Sequence, residues 1–281
     1  MKIRTVAPGL REMQLDGEEW DAAYADRFAA GDCEGLLLGT AGPGRGTVDI
    51  GFVRDVPGLR SVRLGLGIAD PGPIGDCPGL TRVQIGLDQR GRVDFSRLTG
   101  LTDLQAPPQV GIETVADLRE LRELYVPGWR SGSLELLGAK PRLEFLRIEC
   151  RRNGTLSLAG AEAMPAVRRM WIYDGRLSDT SRLTALHELT ELSLIGAKPA
   201  DLGFVAGLPA LADLTLENCG PLPTLAPLVG HPSLREVAVT GSSTVADGDL
   251  HPLVDNPALT GIWLERGAPH YTHRPAQVRR G

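Results

Sequence analysis

The sequence predicts an α/β solenoid: a right-handed coil with a curved parallel sheet along one side and short helices or 3-10 turns along the other. Three observations carry this reading. An apolar motif, L-x-x-L-x-L or a close aliphatic substitute, recurs ten times, with first positions at Leu59, Leu80, Leu101, Leu121, Leu143, Val167, Leu189, Leu211, Leu234 and Leu259. Their separations are 21, 21, 20, 22, 24, 22, 22, 23 and 25 residues, a mean of about 22. Proline falls two residues before the first apolar position in seven of the ten copies.

Each part of the motif has a physical role. The closing L-x-L alternates with period two, so both leucines point to one face of a short strand. Between strands the apolar residues recur every three positions, as in Leu183, Leu186, Leu189 and in Leu222, Leu225, Leu228. That spacing is helical, and Asp179, Asp201, Thr224 and Asp247 stand where caps are expected. The prolines close each crossing, because the residue before a proline avoids the helical region. One coil cannot bury its leucines alone, whereas stacked coils bury them continuously.

The ends read differently. Residues 1–32 are expected to form an N-terminal cap. Its amphipathic helix over 16–30 starts at Asp16 and carries Trp20, Tyr24 and Phe28 on one face. Cys33, Leu36 and Leu38 form a degenerate earlier copy, so the array runs over 33–266. The tail, 267–281, shows no helical cap, and its His270-x-x-His273 pair sits between Pro269 and Pro275 in what reads as a loose segment. The final strand near Ile262–Leu264 is then an edge, covered by the tail or paired with a second copy in a homodimer.

The array resembles the leucine-rich repeat family, in its internalin-like class with repeats of about 22 residues. The resemblance spans roughly residues 33 to 266. It implies a right-handed leucine-rich repeat solenoid and a binding role. One feature departs from the family, which places Asn or Cys three residues after the third leucine. The equivalents here are Gly67, Asp88, Gln109, Trp129, Arg151, Gly175, Ala197, Cys219, Ser242 and Gly267, of which only Cys219 fits. The turn groups therefore need water or neighbouring backbone as partners.

Composition narrows the function. The 281 residues are 42% hydrophobic and 23% charged, with a mean hydropathy of -0.07. This suits a folded chain and argues against disorder. The net charge of -5 removes any global attraction to nucleic acid or anionic lipid. No run of about 18 apolar residues suggests a membrane span. The four cysteines contain no C-x-x-C pair, and the N-terminus lacks the apolar stretch of a secretory signal. A cytoplasmic protein with reduced thiols is expected. Arginine outnumbers lysine 27 to 3, the bias of a GC-rich bacterial genome.

No catalytic constellation, cofactor motif or metal-ligand set stands out, so a non-enzymatic protein is expected. Residues 39–47 have phosphate-loop spacing, but Arg45 replaces lysine, Gly46 replaces Ser/Thr, and the segment that follows looks like a strand. His187, His231 and His251 lie in the crossings, where turn or capping roles are expected.

The outward residues of the strands are more informative. Tyr125, Phe145, Arg147, Arg169, Trp171 and Tyr173 fall on three successive strands, and Trp263 lies further on. Aromatics with arginine are the usual anchors of protein recognition. Later strands offer acidic residues, among them Glu191, Asp213, Glu217 and Glu236. The expected function is recognition of a protein partner on the concave sheet face, as inhibitor, immunity protein or scaffold. The alternatives are carbohydrate or small-ligand binding through the aromatics, and a nucleotide-dependent switch or enzyme using the 39–47 loop.

Overall fold

A computed structural model describes residues 2–17, 20–39 and 47–279. The chain divides into two compact units, Met1–Pro127 and Gly128–Gly281.

In the first unit, β1 (Lys2–Ala7) and β2 (Leu10–Asp16) form an antiparallel hairpin. The helix α1 (Ala22–Ala29) follows, then β3 (Gly35–Gly39), β4 (Ser61–Leu64), β5 (Arg82–Ile85), β6 (Asp103–Gln105) and the start of β7 (Glu123–Ser133). From β2 to β7 each strand pairs in parallel with the next. The degenerate copy is a genuine coil, since Cys33, Leu36 and Leu38 are all buried.

Asp16 does not start the N-terminal helix. It ends β2, whose alternation LREMQLD buries Met13 and Leu15, and the helix begins later at Ala22. Asp21 is its cap, accepting a hydrogen bond from the Tyr24 amide at 3.0 Å. Trp20, Tyr24 and Phe28 do cluster, and Trp20 also stacks on Phe52 at 4.8 Å. A period-two strand had been hidden because it precedes the repeat and lacks its leucines.

The second unit carries β8 (Phe145–Ser157), β9 (Arg169–Tyr173), β10 (Arg176–Ser178), β11 (Glu191–Ile195), β12 (Asp213–Glu217), β13 (Pro221–Leu222), β14 (Glu236–Thr240), β15 (Thr244–Val245), α2 (His251–Val254), β16 (Gly261–Leu264) and α3 (Pro275–Val278). Strands β8, β9, β11, β12, β14 and β16 lie side by side, all parallel and in register. β10 pairs with the far end of β8, and β13 with β15.

The leucine ladder is the core of both units. The ten first-position residues are at most 4% exposed. Burying each such side chain contributes about 1.5–3 kcal/mol, which offsets the chain entropy lost in fixing so many turns. The crossings are mostly 3-10 turns of three to six residues. In seven of the ten copies a proline soon after the turn leaves too little room for a longer α-helix. Many of these turns start alike, with a side-chain oxygen accepting from the amide two residues on. Asp49 serves Gly51, Asp70 serves Gly72, Asp94 serves Ser96, Asp201 serves Gly203 and Thr224 serves Ala226. Asp247 does the same for Asp249. Asp179 departs from the expected cap: it sits at φ 55° and accepts instead from Ser157 and Ser178.

The missing asparagine position is filled by other means. Gln89 donates to the Gly65 carbonyl at 2.5 Å and Gln109 to that of Leu87 at 3.0 Å. Cys219 donates to Leu194 at 3.2 Å, and the Ser243 hydroxyl to Leu216 at 2.8 Å. Each bond reaches back about one coil. Elsewhere backbone serves, as where Gly196 N donates to the Glu217 carbonyl and Asp174 N to that of Ile195.

The tail is not loose. Tyr271 accepts from the Val245 amide at 2.8 Å, and the His270 ring meets the Val245 carbonyl at 3.1 Å. Val278 of α3 is buried, and Arg279 donates to the Leu264 carbonyl at 2.9 Å. The tail thus folds over the last strand and takes an edge acceptor that a homodimer through this edge would use.

Candidate recognition surface

Strict alternation builds the surface. In β8, Leu146, Ile148 and Cys150 point into the core, so Phe145, Arg147 and Glu149 stand on the open face. In β9, Met170 and Ile172 are buried, and Arg169, Trp171 and Tyr173 face outward. Register then sets the neighbours: Phe145 beside Arg169, Arg147 beside Trp171, Glu149 beside Tyr173.

These residues form one cluster. The Phe145 and Trp171 rings meet edge to face, 5.0 Å apart at 76°. The Arg169 guanidinium lies 4.6 Å over the Phe145 ring, and that of Arg147 lies 4.6 Å over Tyr173. The Trp171 indole N–H donates to Glu191 on the next strand at 2.5 Å. Arg147 also sits 3.8 Å from Glu149. Cation–π contacts at partly exposed sites each contribute about 0.5–1 kcal/mol. Together they fix long side chains that would otherwise move, which leaves the surface pre-ordered.

The other two predicted residues are Tyr125 and Trp263. Tyr125 belongs to the first unit, half-buried on β7 beside Gln105 of β6. Trp263 lies on β16, four strand steps from Trp171, or about 19 Å at ordinary strand spacing. It is 43% exposed and its ring lies across Gly261.

The acidic residues continue the same rows. Glu191, Asp213 and Glu236 are direct register neighbours. Burial raises the Asp213 carboxyl above its ordinary value, and the negative charges of Glu236 and Glu191 add to this. Asp103, on the first unit's sheet, is also raised by burial, with Arg82 opposing the shift from 3.6 Å.

A second cluster went unrecognised in the sequence. Glu12 of β2 is buried, accepting from the Ser61 hydroxyl at 2.7 Å and facing Arg63 at 3.2 Å. Glu12 and Ser61 are separated by β3, and they meet over Gly35, which offers no side chain between them. A glycine amid the apolar run GLLLG was the available signal. Ser61 is fully buried, so its hydroxyl is a structural tie out of a substrate's reach.

Among the described residues no group of three or more His, Cys, Asp or Glu is placed to hold a metal ion. The four cysteines are free and buried, and burial pushes the Cys150 and Cys219 thiols up to about 11 and about 12. His231 serves a turn, its ring meeting the Leu208 carbonyl at 3.0 Å and accepting from the Leu234 amide at 3.2 Å. Residues 40–46, the centre of the phosphate-loop-like segment, lie outside the described residues. No helix among the described residues is long and apolar enough to cross a membrane.

No family model matches the sequence, and no curated protein does. Solved structures do match. An internalin, InlF, from Listeria monocytogenes aligns with a TM-score of 0.68 over 90% of this chain and 74% of its own, at 18% identity. The fold is that of the leucine-rich repeat proteins, of internalin type. A leucine-rich repeat protein of Leptospira interrogans matches at TM-score 0.53 and 14% identity, covering 85% of this chain and 68% of that one. TLR13 in complex with ssRNA13 matches at 0.58 and 15%, covering 85% of this chain, which spans only 41% of TLR13. At these identities the likeness establishes the leucine-rich repeat fold and leaves function to the surface.

Proposed function

We propose that this leucine-rich repeat protein is a non-enzymatic recognition module that binds another protein on its sheet face, around Trp171. The observation that carries the reading is the Phe145–Trp171 pair with guanidinium groups stacked on Phe145 and on the neighbouring Tyr173. Large aromatic and arginine side chains, half out of water and fixed by one another, are the composition of binding hot spots. At Tyr173 a stacked sugar would have to displace the Arg147 guanidinium that covers one face of the ring. The acidic balance argues against RNA as the ligand, although the TLR13 structure holds one.

The rest of the reading follows. We take 1–32 as cap, 33–266 as repeat array and 267–281 as docked tail. The buried, unpaired thiols suit a reducing, cytoplasmic setting. A scaffold or an inhibitor would both use such a surface.

The test is affinity capture with the intact protein, compared with Trp171→Ala and Tyr173→Ala. A protein retained by the native surface should be lost, at least tenfold, from the Trp171 variant. Retention within a factor of two by both variants would refute the site.

A further inference from the structure

The sheet between Trp171 and Trp263 has a shape and charge of its own. Its middle row reads Trp171, Ser193, Thr215, Ala238, Trp263 on five consecutive strands. Three small residues between two indoles make a trough about 19 Å long, the length of about six extended residues. Glu191, Asp213 and Glu236 line one side, and Glu217 lies on the other. Strands β11, β12, β14 and β16 contain no Lys, Arg or His.

We propose that this trough seats an extended lysine- or arginine-bearing segment of the protein partner, with one basic side chain lying over Ser193 against Trp171. The inference rests on the recognition role proposed above and names the chemistry of the partner.

Three independent features support it. First, like charges directly opposite one another destabilise a sheet. Asp213 and Glu236 make no ion pair or side-chain hydrogen bond among the described residues. The fold has no use for this row, and a ligand cation would relieve it. Second, Ser193, Thr215 and Ala238 are small side chains on the open face between Trp171 and Trp263, so nothing bulky fills the middle row. The Ser193 hydroxyl there can donate to or accept from a ligand backbone group. Third, Trp171 offers an indole wall beside the Glu191 carboxylate that it binds. A basic side chain there stacks its stem on the ring and directs its charge to Glu191 and Asp213.

The test is calorimetric titration of the intact protein with capped hexa-arginine, hexa-glutamine and hexa-glutamate peptides at physiological salt. Hexa-arginine should bind with one-to-one stoichiometry, and the other two should not bind. Asp213→Asn combined with Glu236→Gln should weaken it at least tenfold, and Ser193→Trp, which fills the trough, should abolish it. Asp26→Asn with Asp255→Asn removes the same charge from exposed positions elsewhere and should stay within twofold. Absence of saturable binding, an unchanged affinity in the Asp213/Glu236 variant, or an equal loss in the control pair would overturn the proposal. Should hexa-arginine fail while Trp171→Ala still releases a captured protein, recognition stands and only the cationic trough falls. The reverse pattern, with peptide binding intact and capture insensitive to Trp171, sinks the aromatic patch instead.

Discussion

Substituting alanine for Gly35 places a methyl group where none fits. Its Cβ would lie 2.6 Å from the Ser61 Cβ, 3.0 Å from the Glu12 Cγ and 3.0 Å from the Ser61 carbonyl oxygen. One of those neighbours is backbone, so the strands must part, and the Glu12–Ser61 bond that bridges them is lost with the separation. Overpacking of this kind costs about 1–3 kcal/mol. Losing a hydrogen bond to a buried carboxylate adds about 1.5–3 kcal/mol. A total near 4 kcal/mol follows, about a thousandfold in a local opening constant. A repeat array can fray from one end without melting throughout, so the assay must be local. Native-state amide exchange over β2, β3 and β4 should accelerate by two to three orders of magnitude, with little change in β11 to β14. Gly100→Ala is the control, since nothing lies within 4 Å of its added methyl. Exchange within threefold of the native protein in Gly35→Ala would refute the bridging account of Glu12 and Ser61.

Two further expectations concern titration. Asp213 has its carboxyl raised by burial and by the charges of Glu236 and Glu191. The folded state therefore holds this proton more tightly than the unfolded chain does. Its contribution to stability is complete below the ordinary carboxylate pKa and is lost as pH rises through the raised value. Glu236→Gln should lower the Asp213 pKa in a carboxyl-carbon NMR titration, and an unchanged midpoint would show that the two do not sense each other. Cys150 and Cys219, pushed up to about 11 and about 12, should alkylate at pH 8 on the order of a hundredfold more slowly folded than unfolded. Equal rates would mean that those coils open freely.

The leucines fixed the coil because their information is local. Leu192 and Leu194 are two residues apart, and that alternation alone sends Glu191, Ser193 and Ile195 to the other face. The same logic places Phe145, Arg147, Arg169, Trp171 and Tyr173 on one surface. It went wrong where no repeat guided it. LREMQLD is a strand, and its Asp16 ends that strand without capping a helix. It also left the tail loose, because Arg279 and Val278 find their partners only against β16, some fifteen residues back in the chain.

Sequence alone thus determined the period, the strand faces and the buried ladder, all of which follow from spacings within a single coil. Tertiary structure decided which outward residues touch. That Glu12 reaches Ser61 over Gly35, that guanidinium groups cover Phe145 and Tyr173, and that Ser193 lies between Trp171 and Thr215 depend on register between strands about 20 to 25 residues apart. Register is set by how whole coils stack: repeats of 20 to 25 residues keep it because the crossings absorb the difference in length, whereas a one-residue slip of a strand against its neighbour would exchange these contacts.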